Sequence, residues 1–136
     1  MKRNQKGFTL IELLAVIVIL AIIALIATPI VLNIIEKARI SAAEDSVYGT
    51  MESVKLAYTE SLMDTDPISL PLAVECGESG CTYGESNTAI EFSGTKPSAG
   101  TFTLTKDGFQ DTTDIEINGL YCKIANEEVT CQTGAF

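Results

Sequence analysis

Glu12 is the only charged side chain between Gly7 and Leu32, in a stretch that is otherwise almost wholly apolar. A carboxylate in that setting costs on the order of 3 kcal/mol on membrane-insertion scales, and less near the interface. Such a residue marks a functional site and needs a cationic partner. The other chemistry-bearing residues lie far along the chain: Cys76, Cys81, Cys122 and Cys131, and the acidic trio Asp107, Asp111 and Asp114. No histidine occurs, which removes the commonest general base and the commonest catalytic-metal ligand together. Ser and Thr therefore have no histidine to activate them, and nothing has the spacing of a phosphate loop or a zinc site. No enzyme, cofactor or metal is expected. Cys76-x4-Cys81 could form half of a metal site, but an even cysteine count in a small exported domain favours two disulfides. The Asp107, Asp111 and Asp114 spacing fits no calcium loop and reads as a solvated acidic loop.

The element that positions Glu12 is the apolar run itself. Leu13 to Ala27 is fifteen consecutive apolar residues, interrupted by Thr28-Pro29 and resumed by Ile30-Val31-Leu32. About 20 mostly apolar residues cross a hydrocarbon core, and only a helix satisfies its own backbone there. Lys2, Arg3 and Lys6 precede the run, whereas all eighteen acids lie at or beyond Glu12 with only six later bases, leaving that remainder at −12. A basic head before an acidic body predicts a cytoplasmic amino terminus and an exported remainder. That acidity also argues against nucleic acid as a direct partner. An ordinary secretory signal would carry a shorter apolar core and a small-residue cleavage site. Ala24 and Ala27 are the only residues that offer a weak one.

The segment Lys6-Gly7-Phe8-Thr9-Leu10-Ile11-Glu12-Leu13-Leu14, followed by the run containing Pro29, resembles the amino terminus of the type IV pilin family and its pseudopilin relatives. The resemblance covers roughly the first 60 residues. It implies that residues 1–7 are a leader, cut after Gly7 by a prepilin peptidase, and that Phe8 becomes a methylated amino terminus. Gly7 suits a cut site because it brings no side chain against the protease. The resemblance also implies that Glu12 neutralises the amine of Phe8 on an adjacent subunit. Among Leu and Ile side chains that pair attracts strongly, whereas either charge alone is costly, so it sets register more than net stability.

Residues 8–32 are thus expected to be the transmembrane and assembly helix, and residues 33–63 its amphipathic continuation. Apolar positions recur from Ile34/Ile35 through Ala38, Ile40, Ala43, Val47, Met51, Val54 and Tyr58 to Leu62 at steps of mostly three or four. Asp64-Thr65-Asp66-Pro67 ends the helix, predicted as Phe8 to Met63. Pro29 removes one hydrogen bond and clashes with the Leu25 carbonyl, predicting a kink or a melted turn that Thr28 could re-satisfy. The resemblance implies that this region can unwind on assembly.

Residues 64–136 form the expected carboxy-terminal domain. Ile68 to Glu91, rich in Gly, Ser and Glu, reads as a loop stapled by Cys76–Cys81. Beyond it lies antiparallel sheet: Thr101 to Thr105 turns through Lys106-Asp107-Gly108 into Phe109. Asn118-Gly119 then pairs Ile117 with Leu120 and Ile115 with Cys122. A second turn at Asn126-Glu127 pairs Ile124 with Val129 and sets Cys122 opposite Cys131, within the span of a disulfide. The fold class is α+β: a long amino-terminal helix packed, along its stripe from Ile40 to Leu62, against a small antiparallel sheet.

The function implied is a structural pilin of a type IV pilus-like filament, polymerised through the apolar helix and serving adhesion, motility or DNA uptake. The alternatives are a pseudopilin of a type II secretion or competence system, and a membrane-anchored binding domain that never polymerises. The implied partners are further copies of the chain in a helical filament, the prepilin peptidase and an inner-membrane assembly platform. The implied location is a single-pass precursor in the bacterial cytoplasmic membrane, then a cell-surface filament.

Overall fold

A computed structural model describes residues 7–92 and 94–136. Residues 1–6 of the expected leader lie outside the described residues. One helix, α1 (Leu10–Ser61), is followed by eight strands: β1 (Leu72–Gly77), β2 (Gly80–Tyr83), β3 (Thr88–Ala89), β4 (Gly100–Thr105), β5 (Gly108–Phe109), β6 (Thr112–Ile117), β7 (Leu120–Ala125) and β8 (Glu128–Gln132). The chain divides into two compact units, the second being Arg39–Phe136.

The first unit is the apolar part of α1. Every Phe, Leu, Ile and Val from Phe8 to Ile35 is exposed, none by less than 48%. Its backbone is hydrogen-bonded within the helix apart from the break at Pro29, but nothing among the described residues covers its side chains. Ile34 and Ile35 belong to this bare part and are not in the packed stripe that the periodicity suggested.

In the second unit the stripe is Ala43, Val47, Thr50, Met51, Val54 and Ser61, all buried, flanked by half-buried Ile40, Ala57 and Tyr58. The three- and four-residue steps bring these onto one face, which the sheets cover. Leu62 lies beyond the last helical turn and is 54% exposed, so the packed stripe stops short of it. Phe102, Ile115, Ile117 and Ile124 fill the centre opposite the helix. The fold is α+β, as expected, but with two antiparallel sheets instead of one: β3-β2-β1-β4-β5 and β6-β7-β8.

The largest departure is Ile68 to Glu91. It is not a loop, because β1, β2 and β3 all lie inside it. Leu72-Ala73-Val74 alternates buried, exposed, buried, and β1 sits between β2 and β4. The strands are short and Gly- and Glu-rich, so their period-two signal is carried by too few residues to stand out. The later registers Ile117↔Leu120, Ile115↔Cys122, Ile124↔Val129 and Cys122↔Cys131 match expectation, whereas the β4–β5 turn is Lys106-Asp107 alone, one residue shorter than expected, with Gly108 already paired to Thr105 and Phe109 to Leu104. Asn118 (φ 52) and Gly119 (φ 76) hold the first β6–β8 turn in left-handed geometry, and Asn126 (φ 53) and Glu127 (φ 64) hold the second.

Both disulfides form, Cys76–Cys81 and Cys122–Cys131, with Cα–Cα distances of 4.0 and 4.1 Å. For the second, the narrow spacing has a cause in the ladder. The Cys131 N–H points away from β7 and donates to Glu44 Oε1 at 3.1 Å, and the Val129 N–H donates to the Tyr48 hydroxyl at 3.0 Å. Cys122↔Cys131 is therefore a non-hydrogen-bonded pair, the closer of the two antiparallel types. The same contacts seal the outer edge of β8 with the helix. Four helical residues rise about 6 Å and two strand residues about 6.8 Å, so Glu44 and Tyr48 match Cys131 and Val129 in step.

The two sheets meet where β4 leaves Gly100. The Glu116 N–H donates to the Ala99 carbonyl at 2.9 Å, and the Ser98 N–H donates to the Glu116 carbonyl at 2.8 Å. Gly100 has φ +133, and a Cβ there would stand 2.9 Å from the Ile115 Cα, a backbone atom that cannot swing aside. Gly100→Ala is expected to destabilise the protein by about 2 kcal/mol or more, read as a lowered denaturation midpoint of the full chain in detergent. Tyr48→Phe leaves the Val129 N–H without its acceptor at a buried edge and should cost about 1–3 kcal/mol in the same measurement.

Candidate functional site

The residues singled out for chemistry are divided between the two units. Gly7, Phe8, Glu12 and Pro29 belong to the first unit; the four cysteines and the acidic trio belong to the second. The cysteines pair within their own hairpins, leaving no free thiol among the described residues.

The acidic trio is taken up by the fold. Asp111 Oδ1 accepts from the Asn126 N–H at 2.9 Å, pinning the β7–β8 turn. Asp114 Oδ1 accepts from the Thr101 N–H at 3.3 Å and from the Thr112 hydroxyl, tying β6 to β4. Asp107 has its own N–H on the Thr105 hydroxyl at 3.3 Å. Among the described residues no group of three His, Cys, Asp or Glu side chains could hold a metal ion. Partial burial alone would raise the Asp114 carboxyl, but the hydrogen bonds from Thr112 and Thr101 outweigh it and hold it below the ordinary carboxylate value.

At the start of α1 the decisive geometry is local. Thr9 is the residue before the first helical position, Leu10, and Glu12 is the third position of the helix. The Glu12 N–H donates to the Thr9 hydroxyl at 3.3 Å, and the Thr9 N–H donates to Glu12 Oε2 at 3.1 Å. This is a capping box, in which two orphan donors of a helix start are satisfied reciprocally. The first regular bond, Leu13 N–H to the Thr9 carbonyl at 3.2 Å, follows directly. Sequence reasoning took Glu12 for its charge and passed over Thr9; the signal was there in the Thr-x-x-Glu spacing before an apolar run. Within one chain, then, Glu12 already has a partner, one residue from Phe8. Phe8 and Gly7 stand exposed ahead of the cap, and among the described residues a Cβ on Gly7 would meet nothing within 4 Å.

Further along, α1 is continuous through Pro29. Thr28 does not serve the Leu25 carbonyl that proline frees. Its hydroxyl donates to Ala24 O at 2.5 Å, one residue earlier, because a threonine hydroxyl in a helix reaches the carbonyl four residues back.

The chain thus combines an apolar helical segment whose Leu, Ile and Val side chains are exposed from Leu10 to Ile35, a Thr9–Glu12 capping box at its start, and a disulfide-stapled sheet domain. Residues 2–28 match the family model described as the prokaryotic N-terminal methylation motif. The chain is 33% identical over 119 residues, 85% of its length and 99% of the relative's, to the type IV narrow pilus major component PilA5 of Thermus thermophilus. The chain belongs to the type IV pilin family. No solved structure matches it. Pilins are structural proteins, anchored by their apolar helix before assembly into filaments of like subunits, and both cysteine bridges of this pilin lie in the sheet domain that follows that helix.

The depressed Asp114 carboxyl gives this pilin domain a pH signature. A group whose folded value lies below its unfolded value of about 3.9 stabilises fully above that pH, and the contribution is lost as pH falls through the folded value. Stability followed by chemical denaturation should therefore decline below about pH 4, and less steeply in Asp114→Ala than in the wild type.

Proposed function

We propose that this pilin is a structural subunit of a type IV pilus-like surface filament, serving adhesion, motility or DNA uptake. The observation that carries this reading is the match over 99% of a relative described as a major pilus component. That near-full-length match favours a pilin over a pseudopilin of a secretion or competence system.

The apolar helix supports the mode of assembly. From Phe8 to Ile35 its side chains are bare, so lipid covers them in the precursor and further copies cover them in the filament. A membrane-anchored domain that never polymerises would need only the first of these. Orientation follows from charge: Lys2, Arg3 and Lys6 hold the head in the cytoplasm, and the domain with two disulfides faces the oxidising side.

A prepilin peptidase removes residues 1–7 by cutting after Gly7 and methylates the new amine of Phe8. An assembly platform in the membrane then draws the subunit out of lipid. On docking, the Glu12 carboxylate meets the Phe8 amine of an adjacent subunit. Neither charge is then left alone among apolar side chains, and subunits one step out of register are penalised. Pro29, one hydrogen bond short within the helix, is the place where α1 can bend or unwind as subunits pack.

Mass spectrometry of the native protein is expected to find an amino terminus at Phe8, carrying one methyl group. A mature chain beginning at Met1 or after Ala27 would overturn the processing step. Glu12→Leu should insert and be processed normally yet yield few or no sheared surface filaments; a wild-type filament yield would refute the charge pairing.

A further inference from the structure

The Thr9–Glu12 box has a consequence for assembly beyond starting a helix. A glutamate side chain has three rotatable bonds, and ordering it costs conformational entropy. Here that ordering is done within the single chain, because Oε2 is fixed on the Thr9 N–H at 3.1 Å while the Thr9 hydroxyl fixes the Glu12 N–H at 3.3 Å. The carboxylate is thereby folded back toward the amino-terminal end of α1. There the helix dipole favours a negative charge and the first amide N–H groups lack helical partners. Glu12 Oε1 accepts no hydrogen bond among the described residues, so one oxygen is held and the other is open. Cutting after Gly7 creates an amine on Phe8, immediately before the N–H that holds the carboxylate.

We propose that Thr9 is a positioning residue for filament assembly. Its capping box holds the Glu12 carboxylate in place while the subunit waits in lipid, and presents the open oxygen to the Phe8 amine of an incoming subunit. This rests on the filament reading above and deepens it. In the waiting subunit the box lowers the cost of a carboxylate at the lipid boundary, since at least one strong donor is already on it. At docking the incoming ammonium binds a carboxylate whose rotamer is preset, so little further ordering is required. No covalent change is involved; a hydrogen bond from an amide is supplemented or replaced by a charge-assisted one from an amine.

Thr9→Val keeps the size and branching of the side chain and removes only the hydroxyl, whereas Thr9→Ser keeps the hydroxyl. Both are to be made in the full chain beside Glu12→Leu, with sheared filament yield normalised to membrane-inserted subunit that starts at Phe8. Thr9→Val should lower that ratio about fivefold, the equilibrium shift set by a cap worth about 1 kcal/mol, and Thr9→Ser should restore it. Hydrogen exchange of the amides at residues 9–12 in the processed, detergent-solubilised protein should quicken in Thr9→Val and not in Thr9→Ser. If Glu12→Leu abolishes filaments while Thr9→Val assembles like wild type, the positioning role is refuted and the charge pairing stands. A Thr9→Ser protein as deficient as Thr9→Val refutes it as well, since the hydroxyl would then not be the active group. Normal filaments from Glu12→Leu would remove the pairing and this role together.

Discussion

An apolar helix that nothing among the described residues covers is the constraint on which the rest depends. From Leu10 to Ile35 the backbone is hydrogen-bonded within the helix apart from the break at Pro29, and the side chains are left uncovered. Such a surface is stable only in lipid or against other apolar surface, and moving between the two exchanges one cover for the other at little net cost. The proposed assembly is that exchange. Polar groups that would obstruct it are dealt with locally: Glu12 on Thr9 at the helix start, and the Thr28 hydroxyl on the Ala24 carbonyl. The second unit then has to fold and hold together without help from the first.

It does so by making one helix face serve two purposes. Val47, Met51 and Val54 enter the core, while Glu44 and Tyr48 reach sideways to the backbone of β8. Helix burial and strand alignment are thereby coupled, since sliding β8 by one residue would forfeit both hydrogen bonds and turn its buried face outward. The Cys122–Cys131 bridge locks the same register covalently. The Cys76–Cys81 bridge does likewise for the β1–β2 hairpin in the other, five-stranded sheet.

The parts legible in the sequence were those whose signal is contained in a few neighbouring residues. Fifteen apolar residues in a row mark a helix able to enter a membrane. Asn118-Gly119 fixes a two-residue turn, and from it the pairing of Ile115, Ile117, Leu120 and Cys122 follows by counting. Counting onward through Asn126-Glu127 reaches Cys131. What escaped was of two kinds. The strands β1 to β3 are short and carry glycines and acids, so their identity depends on the neighbours that pair with them, which lie far along the chain. Glu44, Tyr48, Asp111 and Asp114 bond to backbone 13 to 87 residues away, a relation that no local pattern encodes. Thr9 is a different matter, because its signal was local and was outweighed by attention to the charge three residues later.

The sealed edge of β8 bears on how such proteins survive crowding. Subunits stored in one membrane and stacked in one fibre bring many copies of a sheet domain side by side, the circumstance in which open strand edges recruit one another into amyloid-like stacks. With β8 occupied by helix side chains, β6 tied to Ala99, and β3 and β5 only two residues long, little ladder is offered to a neighbour. In the assembly proposed above, polymer growth is left to the greasy helix, and the domains it carries can touch without fusing.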